Sequence, residues 1–242
     1  MKLIVAIFLL ASLSTAAQYS AYEPTKEWIK SGTTLVLFGG AQLIKYNVAP
    51  LTLGEIELLQ VNQVNGFDRR TAGLWSPGHA KASDILMMAS YAFPLSIAAF
   101  PDARKQWKTV GHLYFQTAVV TIALTETIKA LVHRTRPYVY NDNVATHHKT
   151  ERDARFSFVS GHTSTVAANC FLTASMYAKY SSNSLGKTLV WTGAALYPLL
   201  VGYMRIRAGK HFTTDVIGGY ILGASLGLTM PWILQKISSK SN

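Results

Sequence analysis

The residues of this chain best suited to chemistry lie in three short stretches of its second half. The first runs Lys129-Ala-Leu-Val-His-Arg-Thr-Arg136-Pro137, the second is Ser160-Gly161-His162, and the third joins Arg205, His211 and Asp215. Together they supply three cations, two imidazoles and a carboxylate able to orient an imidazole. Cations of this kind neutralise phosphate oxygens, and arginine does so with two parallel donors. An imidazole with one ring nitrogen fixed by a partner leaves the other free to attack phosphorus. A second imidazole can protonate the departing oxygen. The inventory suits phosphoryl transfer through a covalent phosphohistidine.

Taken singly, each motif also has a plain structural explanation. His211 and Asp215 stand four residues apart, which predicts one helix face and hydrogen-bonding reach, although most such pairs are surface contacts. Ser160-Gly161-His162 opens an apolar helix, so its backbone N–H groups and the helix dipole can meet an anion. Ser160 equally reads as an N-cap. Lys129 and Arg136 are two helical turns apart, and Pro137 predicts that the helix stops at the water interface there. A snorkelling basic flank would use the same residues. Glu126, three residues before Lys129, is expected to pair with it. Arg69, Arg70, His147 and His148 are expected to be solvated loop residues.

The elements that must position these groups are helices in a membrane. Of 242 residues, 49% are hydrophobic and 14% charged, against about 25% charged in soluble domains. A soluble surface is hard to build from so few charges. The excess of 23 Lys+Arg over 12 Asp+Glu implies an anionic partner. The basic residues lie between apolar runs rather than in one stripe, which argues against nucleic acid. Cys170 is the only cysteine, so no intrachain disulfide can form. Residues 1–17 read as a signal peptide, or else a retained N-terminal anchor. Residues 18–82 form an extracytoplasmic or interfacial segment, whose apolar stretch 33–46 is short for a span. Residues 83–236 form the main domain, with apolar segments at 85–100, 113–132, 163–180, 189–204 and 216–234. The last would rise about 28 Å as a helix, close to the thickness of a hydrocarbon core. If the cations at 104–108, 179–187 and 236–240 are cytoplasmic, all three motifs face outward.

The ordered pattern Lys-x6-Arg-Pro, Ser-Gly-His, Arg-x5-His-x3-Asp resembles the type 2 phosphatidic acid phosphatase superfamily, across roughly residues 85–234. The chain departs from it at Val159, where the family usually has Pro, and at Met204, where it usually has Ser. The resemblance implies an all-α transmembrane bundle of about five to six membrane helices, with no metal or other cofactor. Lys129, Arg136, Arg205, Ser160 and Gly161 would hold the phosphoryl oxygens. His211, oriented by Asp215, would attack phosphorus, and His162 would serve the leaving group and then water. The implied activity is hydrolysis of a lipid phosphate monoester or pyrophosphate, the partner being a phospholipid or isoprenoid-lipid phosphate met in a bacterial-type inner membrane at its extracytoplasmic face. Three other outcomes share the pattern: transfer of the phosphoryl group to an acceptor other than water, a vanadium haloperoxidase, and a non-catalytic lipid-binding protein.

Overall fold

The computed structural model describes the backbone of residues 24–239 and the side chains of residues 32–232. The expected signal segment 1–17 lies outside the described residues. Among the described residues, six long helices carry the fold: α1 Pro24–Asn47, α2 Pro77–Ser90, α3 Trp107–Val132, α4 Gly161–Tyr180, α5 Ser184–Arg207 and α6 Thr213–Ser239. The five expected apolar segments each lie largely within a longer helical stretch. The helices begin earlier because their capping residues lie outside the apolar runs. Ser76 accepts from the His79 N–H with Pro77 in the first turn, and Asn183 Oδ1 accepts from the Gly186 N–H at 2.9 Å.

Three helical segments among the described residues, Pro77–Ala99, Trp107–Tyr140 and Ser184–Arg207, are long and apolar enough to cross a membrane. Large apolar side chains point outward from the bundle, including Ile85, Met88, Leu131, Leu189, Leu196, Leu199, Ile217 and Ile221. Such a surface is costly in water and suited to lipid. The protein is a transmembrane helical bundle.

The centre of the bundle is α4, buried without interruption from Thr163 to Ala174. Its polar residues are tied across helices: Ser164 Oγ to Thr125 Oγ1 at 2.9 Å, and Asn169 Nδ2 to Ser90 Oγ at 3.0 Å. Helix α6 lies against α4 along Gly219, Gly223 and Gly227. A methyl group at these positions would come within 2.5, 2.0 and 2.6 Å of the carbonyl oxygens of Ser160, Ser164 and Ala168. Only a bare backbone lets the helices approach so closely. Helix α1, which contains the 33–46 stretch, packs along α3.

Successive long helices run in alternating directions, and the alternation decides where the motifs meet. The end of α3, the start of α4, the end of α5 and the start of α6 share one end of the bundle, joined by the first half of α2. Replacing Gly223 by Ala is expected to cost about 1–3 kcal/mol by overpacking and to lower the melting temperature in detergent. Gly193→Ala, with nothing within 4 Å of the added methyl, should be neutral or slightly stabilising. Equal melting temperatures for the two variants would contradict the close α4–α6 contact.

Candidate active site

Helix α3 stops at Val132 because His133 takes the left-handed conformation, φ 50° and ψ 40°, which histidine adopts more readily than most residues. Lys129 and Arg136 therefore do not share a helix face. Lys129 remains on the last turn, its ammonium bonded to Glu126 Oε1 at 2.8 Å. Arg136 reaches the same region from the loop. Its Nε donates to the Asp153 carbonyl at 2.8 Å, Nη2 to Asp153 Oδ1 at 2.8 Å and Nη1 to the Lys210 carbonyl at 3.0 Å.

At the start of α4, Ser160 is fully buried and its hydroxyl serves as the cap, accepting from the Thr163 N–H and bonding Thr163 Oγ1 at 2.9 Å. The Ser164 N–H bonds the Ser160 carbonyl at 3.0 Å. The N–H groups of Gly161 and His162 have no acceptor within the helix, as at any helix start. A methyl on Gly161 would sit 3.1 Å from Lys129 Nζ, so the ammonium lies close against this helix start and would have to shift slightly for a side chain there.

His162 Nε2 donates to Asp84 Oδ1 at 2.7 Å, and the same oxygen receives Arg205 Nη1 at 3.3 Å. Arg205 Nη1 also lies 3.2 Å from Ser83 Oγ. Its Nε is buried with no hydrogen-bond partner, an expensive vacancy for a charged donor.

His211 lies in the loop before α6, not on the helix, and this corrects the expected geometry of its pairing. Asp215 Oδ2 is 3.9 Å from His211 Nδ1, beyond hydrogen-bonding distance. Nδ1 instead donates to the Ser157 carbonyl at 2.7 Å. A carbonyl can only accept, so the proton is on Nδ1 and the lone pair is on Nε2. Asp215 acts one bond further out, accepting from the Ser157 hydroxyl at 2.5 Å, the Phe212 N–H at 2.8 Å and Arg134 Nη1 at 2.5 Å. Arg134 also binds Asp68 at 2.7 Å. Gly209, at φ +71°, makes the preceding turn, and a methyl there would strike the Leu74 carbonyl at 1.7 Å.

Burial pushes the His211 imidazole well below its ordinary range, and the charges of Arg136, Arg205 and Lys129 push the same way. All three cations of the motifs thus act on one neutral ring. Asp84, Arg134, Ser157, Asp153 and Asp68 were not singled out by type and spacing. Asp84 carried a visible signal as the acid that opens an apolar segment. Ser157 offered none, since its carbonyl does part of the work.

This end of the bundle belongs to a known class. The family model for the PAP2 superfamily matches residues 86–239, and the chain belongs to that superfamily and is a phosphatase of its type. Phosphatidylglycerophosphatase B of Bacillus subtilis is 32% identical over 153 residues, covering 62% of this chain and 70% of that protein. Decaprenylphosphoryl-5-phosphoribose phosphatase of Mycobacterium tuberculosis is 31% identical over 136 residues, covering 55% of this chain and 64% of the relative. The crystal structure of a transmembrane PAP2-type phosphatidylglycerolphosphate phosphatase from Bacillus subtilis aligns over 100% of this chain and 98% of that one. The TM-score is 0.46 and the identity 22%.

A depressed imidazole stays neutral as pH falls through the usual histidine range and protonates only below it. Ring-nitrogen NMR of the ligand-free protein should find His211 neutral at pH about 6, below the ordinary histidine value. Arg136→Met removes a repelling charge and should raise the titration point. A wild-type His211 that titrates at an ordinary value would contradict the buried cationic setting.

Proposed function

We propose that the protein hydrolyses a lipid phosphate monoester through a phosphohistidine on His211. The observation that carries this reading is the 2.7 Å bond from His211 Nδ1 to the Ser157 carbonyl. It fixes the proton on Nδ1 and leaves the Nε2 lone pair free, on a ring that feels the charges of Lys129, Arg136 and Arg205. In the first half-reaction Nε2 attacks phosphorus, the bond from phosphorus to the lipid oxygen breaks, and His162 gives that oxygen a proton. In the second, neutral His162 takes a proton from water as the water attacks the phosphohistidine. Inorganic phosphate leaves and His211 is regenerated. Lys129, Arg136, Arg205 and the N–H groups of Gly161 and His162 stabilise charge on the equatorial oxygens. Ser160 contributes by fixing the helix start, and Asp215 by holding Ser157 and the Phe212 N–H beside the nucleophile. Asp84 orients His162.

The cations supply the charge neutralisation a divalent metal would otherwise give, so turnover is proposed to be metal-independent. The names of the two curated relatives support a lipid substrate. Each describes a lipid joined through a phosphoryl link to a polyol, glycerol or ribose, that carries a further phosphate.

The site is proposed to face the extracytoplasmic side, with residues 48–76, between α1 and α2, on that side or at its interface, α1 packed along α3, and residues 83–236 forming the catalytic bundle. Arg104, Lys105, Lys108, Lys179, Lys187 and Lys236 lie near the opposite end of the helices, as the positive-inside rule asks of a cytoplasmic face.

Purified protein in detergent should release phosphate from lipid monophosphates with or without EDTA, and His211→Asn should abolish release while the protein stays folded. Asp84→Asn should lower kcat about tenfold or more by misorienting the proton donor. Nitrophenolate needs no proton to leave, so with p-nitrophenyl phosphate His162→Asn should give a burst followed by slow turnover. Full steady-state activity in His211→Asn would refute the mechanism.

A further inference from the structure

A groove of about 660 Å³ lies beside the phosphate cluster, between the last turns of α1 and the turn Arg152–Phe156. Small-molecule sites commonly measure about 300–1,000 Å³. Gln42, Lys45 and Tyr46 line one wall and Arg152, Asp153 and Phe156 the other. The two cations are held rather than free to swing. Lys45 Nζ lies 4.7 Å above the Phe156 ring and binds Glu126. The Arg152 guanidinium lies 5.0 Å over Tyr46 while its Nε donates to the Val48 carbonyl at 3.0 Å.

Each wall connects to the phosphate cluster through one carboxylate of its own. Glu126 stands between Lys45 and Lys129. Asp153 faces the groove and also holds Arg136 Nη2 at 2.8 Å. The groove therefore begins one side chain away from the cations proposed to bind the scissile phosphate. Its chemistry is ordered along that path. Asp153, half exposed at 52%, can accept from a hydroxyl. Further along, Lys45 retains two donors beyond Glu126, and Arg152 retains its terminal nitrogens.

We propose that this groove is a second-anion subsite. Lys45 and Arg152 hold the phosphodiester of a lipid whose scissile monoester stands one polyol away, and Asp153 receives the polyol hydroxyl. The inference rests on the phosphatase reading and narrows its substrate class. Phosphatidic acid carries its phosphate directly on the acylated glycerol and places no anion in the groove. A pyrophosphate places its second charge adjacent to the first, among the cluster cations. Either would leave Lys45 and Arg152 without an ionic ligand, which is a means of discriminating against it.

The test is a ratio of kcat/KM for two lipids in mixed micelles, phosphatidylglycerophosphate against phosphatidic acid. Wild type should favour the first, and Arg152→Gln should shrink the preference about tenfold, the scale of one charge-assisted contact. Arg152→Lys, which keeps the charge, should retain most of it. A ratio unchanged in Arg152→Gln would overturn the subsite, whatever happens to absolute rates. A second measurement needs no turnover: native mass spectrometry of detergent-solubilised protein with phosphatidylglycerol, which has the diester and lacks the monoester. Wild type should retain it in preference to phosphatidylcholine, and Arg152→Gln should not. Retention of phosphatidylglycerol by a wild type that hydrolyses neither lipid would defeat the phosphatase reading and leave the subsite standing. Hydrolysis of both lipids with no preference would do the reverse.

Discussion

The structure is organised around an electrostatic conflict. Lys129, Arg136 and Arg205 are all nearly buried, all bear on one neutral imidazole, and all sit where a low dielectric strengthens their mutual repulsion. The protein compensates them from outside. Glu126 holds Lys129, Asp153 and two carbonyls hold Arg136, and Asp84 holds Arg205. The anionic partners stand around the cluster rather than inside it, and Arg205 Nε has none. Burial, together with the same three charges, keeps His211 deprotonated, the state that the proposed attack on phosphorus requires.

Such a cluster survives only if the helix ends that carry it cannot drift apart. The α4–α6 seam supplies that restraint. Gly219 lies against the Ser160 carbonyl and Gly223 against that of Ser164, so the seam starts at the same turn as the site. The Ser160 N–H bonds the Asp215 carbonyl at 2.9 Å, which joins the two helix starts directly. Packing along the membrane axis and placement of Ser160, His162 and Asp215 are one constraint. In lipid, where no hydrophobic drive presses helices together, close backbone contact of this kind is a principal source of association.

Much of this was legible in the sequence. The apolar segments marked the helices well, because the bilayer imposes length and composition on whatever crosses it. The three motifs, chosen because a phosphate would need cations and an imidazole in number, meet at one end of the bundle. The connections were harder to read. Spacing put Lys129 and Arg136 on one helix, and the left-handed turn at His133 undoes that. Spacing also put Asp215 on the His211 ring, but α6 starts between them and the ring bonds a backbone carbonyl instead. Main-chain partners such as the Ser157 carbonyl carry no side-chain signature. Asp84 and Asp153 come from elements distant in the chain, where one sequence offers no cue to pairing.

In the proposed mechanism His211 and His162 flank a single phosphorus position ringed by the three cations. A structure of the protein with vanadate bound would show this arrangement. The expected result is a five-coordinate vanadium bonded to His211 Nε2, with its equatorial oxygens on Lys129, Arg136 and Arg205 and His162 facing the opposite apex. Vanadate bonded to His162, or held away from His211, would contradict it.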